Sequence, residues 1–549
     1  MAGHPETAPL RPRWGGLSVS LDLGHRGALC LGFALVMGPF LVLWYHLGLA
    51  VGSGQADWLW LAVPLGRRWL LLVRSVGLAV GVAGVGTALG VLAALVLWRW
   101  HRGVLAYLRW LPLMLLPVPF CVQALAWWTL ADAVNFLLAW LGLGAIPFQG
   151  GLAAWWVQVM ALLPLAVGLA LVGLETVDPK LIEAARLSRG DVVVFRRIIL
   201  PLAAPKILAG AGFLFLLSIT DYSVPSLFQY QVYALEIFAE FSASHEPARA
   251  LALSLPLLLV TGAVVAAAIA GLRDSLQPPA WTITAWERPP VWPRYFRAGQ
   301  YGALGLLLGQ LALLLLGLGL SAGGGSRMVD TVWSAAPEIT YSLWVAGLST
   351  LLGLAPALAV ARELNQDKAA RLFWWLLIAA TLALPAPLVG IGLIALNSSP
   401  WFPWFMVEAG LMPVWADLSR FIPWVALVLL VQVKSQDPLW FEAARILQTS
   451  RWQTWRQVTL PILAPGLLAG AGLGFMLSLG ELGATLLVAP PGRATLVMRI
   501  YNYLHYGAAD TVAGLCLVLA LTVLVAGCGA ALTLAAWFRL LPKHHRLRI

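Results

Sequence analysis

The chain has 549 residues, of which 60% are hydrophobic and 11% charged, with a mean hydropathy of +0.84 and a formal net charge of +11. A water-soluble domain carries roughly a quarter of its residues as charges to solvate its surface. This composition therefore excludes a soluble enzyme or binding module and calls for a bilayer as solvent. Cys30, Cys121, Cys516 and Cys528 all lie in apolar blocks, with neither a disulfide framework nor zinc-ligand spacing.

In chain order, a polar segment over 1–27 leads into apolar blocks of about twenty residues, each long enough to cross a hydrocarbon core of about 30 Å as a helix. Spans are predicted over 28–50, 69–98, 107–130, 152–175, 207–226, 250–272, 300–320, 339–361, 372–396, 421–433, 467–488 and 511–537. The first block is too long for a signal-peptide core and lacks a small-residue cleavage site after it, so it reads as a retained span. The block 421–433 is short, which places its start nearer Trp415. Trp98, Trp100, Trp127, Trp128 and Trp537 stand near block ends, where an amphipathic ring suits the interface.

Basic residues set the predicted orientation. With the N-terminus inside, the segments 1–27, 99–110, 176–206, 273–299, 362–371, 434–466 and 538–549 carry 27 of the 35 Lys and Arg. That bias across short loops places both termini in the cytoplasm. It also accounts for the net charge without nucleic acid as a partner; membrane lipid is the surrounding medium.

The chain repeats itself. DPKLIEAARLSRGDVVVFRRIILPLAAPKILAGAGFLFLLS, from Asp178, matches DPLWFEAARILQTSRWQTWRQVTLPILAPGLLAGAGLGFMLS, from Asp437, in the order of DP, EAAR, LP, AP and LAGAG. Each copy lies between the fourth and fifth spans of a six-span half. Because six is even, the halves share one orientation and form a parallel repeat. The predicted organisation is an all-α polytopic membrane protein of about twelve helices. Its parts are a cytoplasmic segment 1–27, a first repeat 28–272 with its loop at 176–206, a linker 273–299, a second repeat 300–537 with its loop at 434–466, and a basic tail 538–549.

Each repeated loop reads as a short capped helix. Asp178 and Asp437 are N-cap candidates, followed by Pro179 and Pro438 at the first helical position, where proline loses no hydrogen bond. Leu181, Ala184, Ala185 and Ser188 fall on one face at i, i+3, i+4, i+7 spacing, with Trp440, Ala443, Ala444 and Leu447 in the second copy. Glu183 and Arg186, like Glu442 and Arg445, stand three apart on a neighbouring strip, and Leu-Pro at Pro201 and Pro461 is expected to end the segment. A small-faced helix repeated on one side reads as a docking knob; a helix lying on the lipid surface is the blander alternative.

The stretches from Glu183 to Pro201 and from Glu442 to Pro461 resemble the EAA loop of type I ATP-binding-cassette importer permeases, and the two-in-one chain resembles the fused permeases of ferric-iron and thiamine importers. That resemblance implies a coupling helix in each loop, seated on one of two cytoplasmic ATPase subunits, and an inner-membrane location. Glu183, Ala184, Ala185, Arg186, Gly190 and Pro201, with Glu442, Ala443, Ala444, Arg445 and Pro461, are then the coupling residues. The family's glycine stands one place late, at Gly190 beside Arg189, and is replaced by Gln448 in the second loop; a glycine there is expected to ease the turn after the helix.

No lysine follows glycine in a phosphate-binding pattern, so ATP is used by a partner, and no cofactor or metal is expected on this chain. Asp221 and Glu481, each placed within a span and related by the LAGAG alignment, are candidate pathway residues; packing acids satisfied by Ser218 or Ser478 are the alternative. Gln123, Asn135 and Asn397 are weaker pathway candidates. The outward loops are too short for a substrate-binding domain, so capture is expected to fall to a periplasmic binding protein. Segment 480–510 resembles the ferric-iron branch, which implies ferric iron as cargo, with thiamine, a polyamine, a phosphonate or an inorganic anion as alternatives. An ion-coupled secondary transporter is the competing class, and a membrane enzyme lacks a cluster of catalytic residues at one depth.

Overall fold

The computed structural model describes residues 19–54, 57–99, 108, 118–273, 290–321, 325–365, 369–399, 402–403, 405–434, 436, 450–506 and 509–540, and all regular structure among them is helical. The first half comprises α1 (Val19–Gly52), α2 (Arg67–Arg99), α3 (Phe120–Trp140), α4 (Gly150–Leu174), the short α5 (Pro179–Arg186), α6 (Leu200–Thr220), α7 (Ser223–Leu227), α8 (Tyr233–Ser244) and α9 (Pro247–Arg273). The second half comprises α10 (Arg294–Ala312), α11 (Gly325–Ser334), α12 (Ala336–Leu364), α13 (Ala369–Leu382), α14 (Ala386–Asn397), α15 (Met412–Lys434), α16 (Leu460–Leu479), α17 (Thr485–Val488), α18 (Leu496–Tyr506) and α19 (Ala509–Leu540). Eleven stretches among the described residues are long and apolar enough to cross a membrane, and a twelfth is a bent pair, so the chain is a multi-pass membrane protein.

Proline explains where the helices depart from the predicted spans. In the third span, helix α3 starts at Phe120, after Pro119 with an extended ψ of 147°, and runs to Trp140, ten residues past the predicted end at 130; most of the predicted stretch before Pro119 lies outside the described residues. The ninth is bent by 99° between Leu382 and Ala386, at Pro385 with ψ 143°. The tenth begins at Met412, so a full-length span replaces the short block 421–433 and agrees with a start near Trp415.

The two halves pack alike and interlock. In the first, α2 lies along α4 and both contact α6; in the second, α12 lies along α15 and both contact α16. Between α2 and α4 the backbones touch: a Cβ at Gly90 would sit 2.7 Å from the Ala166 carbonyl carbon. Apolar lipid gives no hydrophobic drive between helices, so such close approach is what holds them. Helix α1 lies against α9 of its own half and reaches across to α12, α14 and α15, while α10 lies against α2 and α4. One proline anchors that exchange. Pro39 has no N–H for the Leu35 carbonyl, which instead accepts from Trp415 Nε1 at 3.0 Å and Ser419 Oγ at 2.5 Å. Likewise Pro387 leaves the Ala383 carbonyl free at the bend, and Thr261 Oγ1 of α9 donates to it at 2.9 Å.

Candidate functional site: coupling loop and interior polar cluster

In the first repeated loop, Asp178 caps α5, accepting from the Lys180 N–H at 2.9 Å, with Pro179 at the first helical position. Ile182 is buried and seats the helix on the bundle. Glu183 and Ala184 are exposed, as are Leu181, Ser188 and Leu187, the last at 91%; Ala185 is half-buried. Arg186 pairs with Asp191 rather than Glu183, with Nε to Oδ1 at 2.7 Å and Nη2 to Oδ2 at 3.3 Å. Asp191 Oδ2 also accepts from the Val291 N–H at 2.5 Å. Phe195, Trp292 and Phe296 pack together at edge-on and tilted angles, with centroids 5.1–5.9 Å apart. The loop is thus tied to the chain segment entering the second half.

Two expectations about this loop need correction. Gly190 has φ −69° and a Cβ there would meet nothing within 4 Å, so the turn asks for no glycine. Leu-Pro does not end the segment: one helix runs from Asp191 to Thr220 with a π-turn at Phe195–Ile199 just before Pro201. Pro201 offers no N–H and crowds the carbonyl four residues back, and the wider turn moves the bond to Leu200 N–H and Phe195 O. The second half repeats this, with a π-turn at Trp455–Thr459 before Pro461. Glu442, Ala443, Ala444 and Arg445 lie outside the described residues.

At the far end of the same helices sits a polar cluster. Asp221 lies just past α6, not within it, where Oδ1 accepts from Ser223 N (3.0 Å) and Oγ (2.6 Å). Its Oδ2 accepts from Gln158 Nε2 (2.9 Å) and Val224 N (3.3 Å), and Ser218 Oγ donates to Gln158 Oε1 at 2.6 Å. Glu481 follows α16 in the same way, with Oε1 accepting from Ala484 N at 2.8 Å and Oε2 paired with Arg420. Ser478 Oγ donates to Asp417, which is fully buried. The serines therefore reach the acids' neighbours, Gln158 and Asp417, rather than the acids themselves.

The offset of 259 that relates Glu183 to Glu442 also relates Gln158 to Asp417, so the two triads are built alike with an amide in one half and a carboxylate in the other. They meet between the halves. A Cβ at Gly483 would lie 3.6 Å from both Tyr222 Cε1 and Glu481 Oε1, and Arg420 acts electrostatically on Tyr222 and Asp221. Ser226 Oγ and Tyr501 OH join the halves at 3.1 Å, and Phe213 meets Trp424 with centroids 5.2 Å apart. Phe213 stands eight residues before Asp221, about 12 Å along the helix.

Asp417, Arg420, Gln158 and Tyr222 escaped the sequence reading. The signal for the first two was the short tenth block, since a full-length span drew both into the membrane. Of the weaker candidates, Gln123 is buried with neither polar atom partnered among the described residues. Asn135 is half-buried and ties down Ile146 through both backbone groups, and Asn397 is exposed at the end of α14.

The fold and the paired loops define a two-unit helical membrane protein with a cluster of polar side chains where the units meet. Residues 349–536 match the family described as binding-protein-dependent transport system inner membrane component. The chain is 41% identical over 83 residues to the putative 2-aminoethylphosphonate transport system permease protein of Salmonella typhimurium, covering 15% of this chain and 31% of the relative. It is 33% identical over 123 residues to the molybdenum transport system permease protein of Haemophilus influenzae (21% and 54%). To the putrescine transport system permease protein of Escherichia coli it is 25% identical over 226 residues (40% and 76%). The chain thus spans about a third to a half of the length of the first two. Among solved structures, none matches. By these matches the chain is similar, over part of its length, to inner membrane permease components of binding-protein-dependent transport systems.

Proposed function

We propose that this chain is the transmembrane subunit of an ATP-binding-cassette importer, opening and closing a route between its two halves for a small solute delivered by a periplasmic binding protein. The observation that carries this reading is α5. It is capped and seated by Ile182, and Arg186–Asp191 ties it to the chain entering the second half, yet it projects Leu181, Ala184 and Leu187 outward. A bare apolar knob on a rigid stem is what a partner's cleft requires. The DP…EAAR sequence recurs at the equivalent place in the second repeat, which suits two cytoplasmic ATPase subunits that would hydrolyse the ATP. The permease names of the relatives support the same assignment.

The route would pass the cluster of Asp221, Asp417, Arg420 and Glu481. Three carboxylates against one guanidinium favour a cationic cargo over an oxyanion, and with the resemblance of 480–510 this makes ferric iron the first solute to test. The relatives' names make phosphonate, molybdenum and putrescine the competitors.

One observation favours a secondary transporter, the span bent by 99° at Pro385, since broken helices mark many ion-coupled sites. Uptake into proteoliposomes separates the two. With its cognate ATPase and binding protein, the chain is expected to accumulate radioactive ferric iron only with ATP inside the ATPase compartment. Accumulation driven by an ion gradient without the ATPase would overturn the importer reading.

A further inference from the structure

Inside the second half, beside the cluster where the halves meet, α12, α15 and α16 surround a small cavity lined by Ser349, Thr350, Asp417, Val425, Gly470 and Gly474. It has room for about one water-sized occupant. Asp417 is fully buried; one carboxylate oxygen accepts from Ser478, and the other has no hydrogen-bond partner among the described residues. Thr350 Oγ1, on the same cavity, is also buried without a partner. An unmatched carboxylate oxygen in such a place costs several kcal/mol unless something neutralises it.

The corresponding place in the first half carries no acid. The offset of 267 that relates Ser75 to Ser342, each accepting a backbone N–H from the helix opposite, sets Val82 and Ala83 against Ser349 and Thr350. The LAGAG alignment sets Leu214 against Gly474, and Gln158 replaces Asp417. Val82, Ala83 and Leu214 belong to one buried apolar cluster. A Cβ at Gly474 would lie 3.7 Å from Thr350 Oγ1 and 3.3 Å from Val425 Cγ2, so the missing side chain keeps the space open. Ser349, Thr350 and Asp417 bring oxygen or charge to the second half and Gly474 brings room, while Leu354 stands where the first half carries Thr87.

We propose that this cavity binds one monovalent metal cation of about the size of Na⁺, held by the free Asp417 oxygen with the Ser349 and Thr350 hydroxyls. Charge favours a cation over water: Arg420 pairs with Glu481 and acts also on Asp417 and Asp221, so one guanidinium stands against three carboxylates in this interior. Hard hydroxyl and carboxylate oxygens suit such an ion. A divalent ion is disfavoured, since Ca²⁺ takes six to eight oxygens and Mg²⁺ a near-ideal octahedron, against one carboxylate and two hydroxyls here. The site stands whether or not the chain is an importer.

The test is equilibrium binding of radioactive Na⁺ to the purified full-length chain in detergent, with choline chloride holding ionic strength constant. Saturable binding of about one Na⁺ per chain is expected. Asp417→Asn should weaken it at least tenfold, and so should Gly474→Ala, which removes space but no ligand or charge. Asp132→Asn, exposed on α3 and away from the cavity, should bind as the parent does. Should Asp417→Asn fail to fold, Gly474→Ala and the parent's thermal stability decide: NaCl is expected to raise the unfolding temperature by about 3 °C over choline chloride, consistent with a ligand well above its Kd. Absence of saturable Na⁺ binding, equal stabilisation by choline, or undiminished binding in Gly474→Ala would overturn the proposal.

Discussion

The two halves solve one problem differently. Where α4 meets the end of α6, Gln158 stands between Ser218 and Asp221, and every acid oxygen is matched by a neutral donor. At the equivalent place α15 carries Asp417, and Arg420 one turn on supplies a charge that pairs with Glu481. The first arrangement is closed by hydrogen bonds alone. The second depends on a buried ion pair and leaves an Asp417 oxygen unmatched. Sequence duplication thus preserves the backbone frame while the chemistry inside it diverges, and an unequal cluster suits a pathway whose two walls need not do the same work.

That contrast can be broken most forcefully at Arg420. Arg420→Met leaves Glu481 buried without its partner, and removing one member of a buried pair costs about 3–5 kcal/mol. Size-exclusion profiles and thermal unfolding in detergent should show loss of most folded protein, and Arg420→Met with Glu481→Gln should recover much of it. If the single variant is as stable as the parent, the ion pair is not what holds the second half's cluster. In the first half the corresponding break is milder. Gln158→Ala removes one neutral donor from a still solvable network, for about 1–3 kcal/mol, and the same unfolding assay should rank it below Arg420→Met.

The loops sharpen the comparison in function rather than stability. Glu183→Arg is expected to lower ATPase stimulation about tenfold with membrane insertion unchanged, while Glu442→Arg should have an unequal effect, because the loops differ in length and composition after the helix. ATPase rates of the assembled complex check this, and parental rates in both variants would remove the docking role. Smallest of all is Gly190→Ala. With a negative φ and open space around the position, the change should alter stability by less than about 0.5 kcal/mol and leave transport as it was. A loss of coupling would mean the turn changes shape when the partner binds.

Much of the architecture was legible because it follows from simple periodicities. Apolar block length located most spans, and the short tenth block itself pointed upstream toward Trp415. What block length cannot reveal is a bend inside an apolar run, such as the one at Pro385, because a broken span and a straight one have the same hydropathy. The LAGAG alignment brought Asp221 and Glu481 to equivalent ends of helices, but their partners lie on α4 and α15, and pairing across helices leaves no mark in a single sequence. Arg420 was hidden by a boundary: counted with an outward loop, it looked like one more solvated charge. Helix spacing places Arg186 on a strip beside Glu183, but its partner Asp191 lies beyond the turn, where that spacing says nothing.

The central claim is that the acids at the ends of α6 and α16 line a route that opens between the halves under control of the coupling loops. Thiol accessibility tests it most directly. In a chain lacking Cys30, Cys121, Cys516 and Cys528, cysteines would be placed singly at 221 and 481, and labelled with a small polar thiol reagent from the side opposite the coupling loops. The account predicts reaction at both positions in one nucleotide state of the assembled complex and protection in another. Positions unreactive in every nucleotide state, in a complex where Asp221→Asn with Glu481→Gln transports at the parental rate, would contradict it and leave the two acids as packing residues.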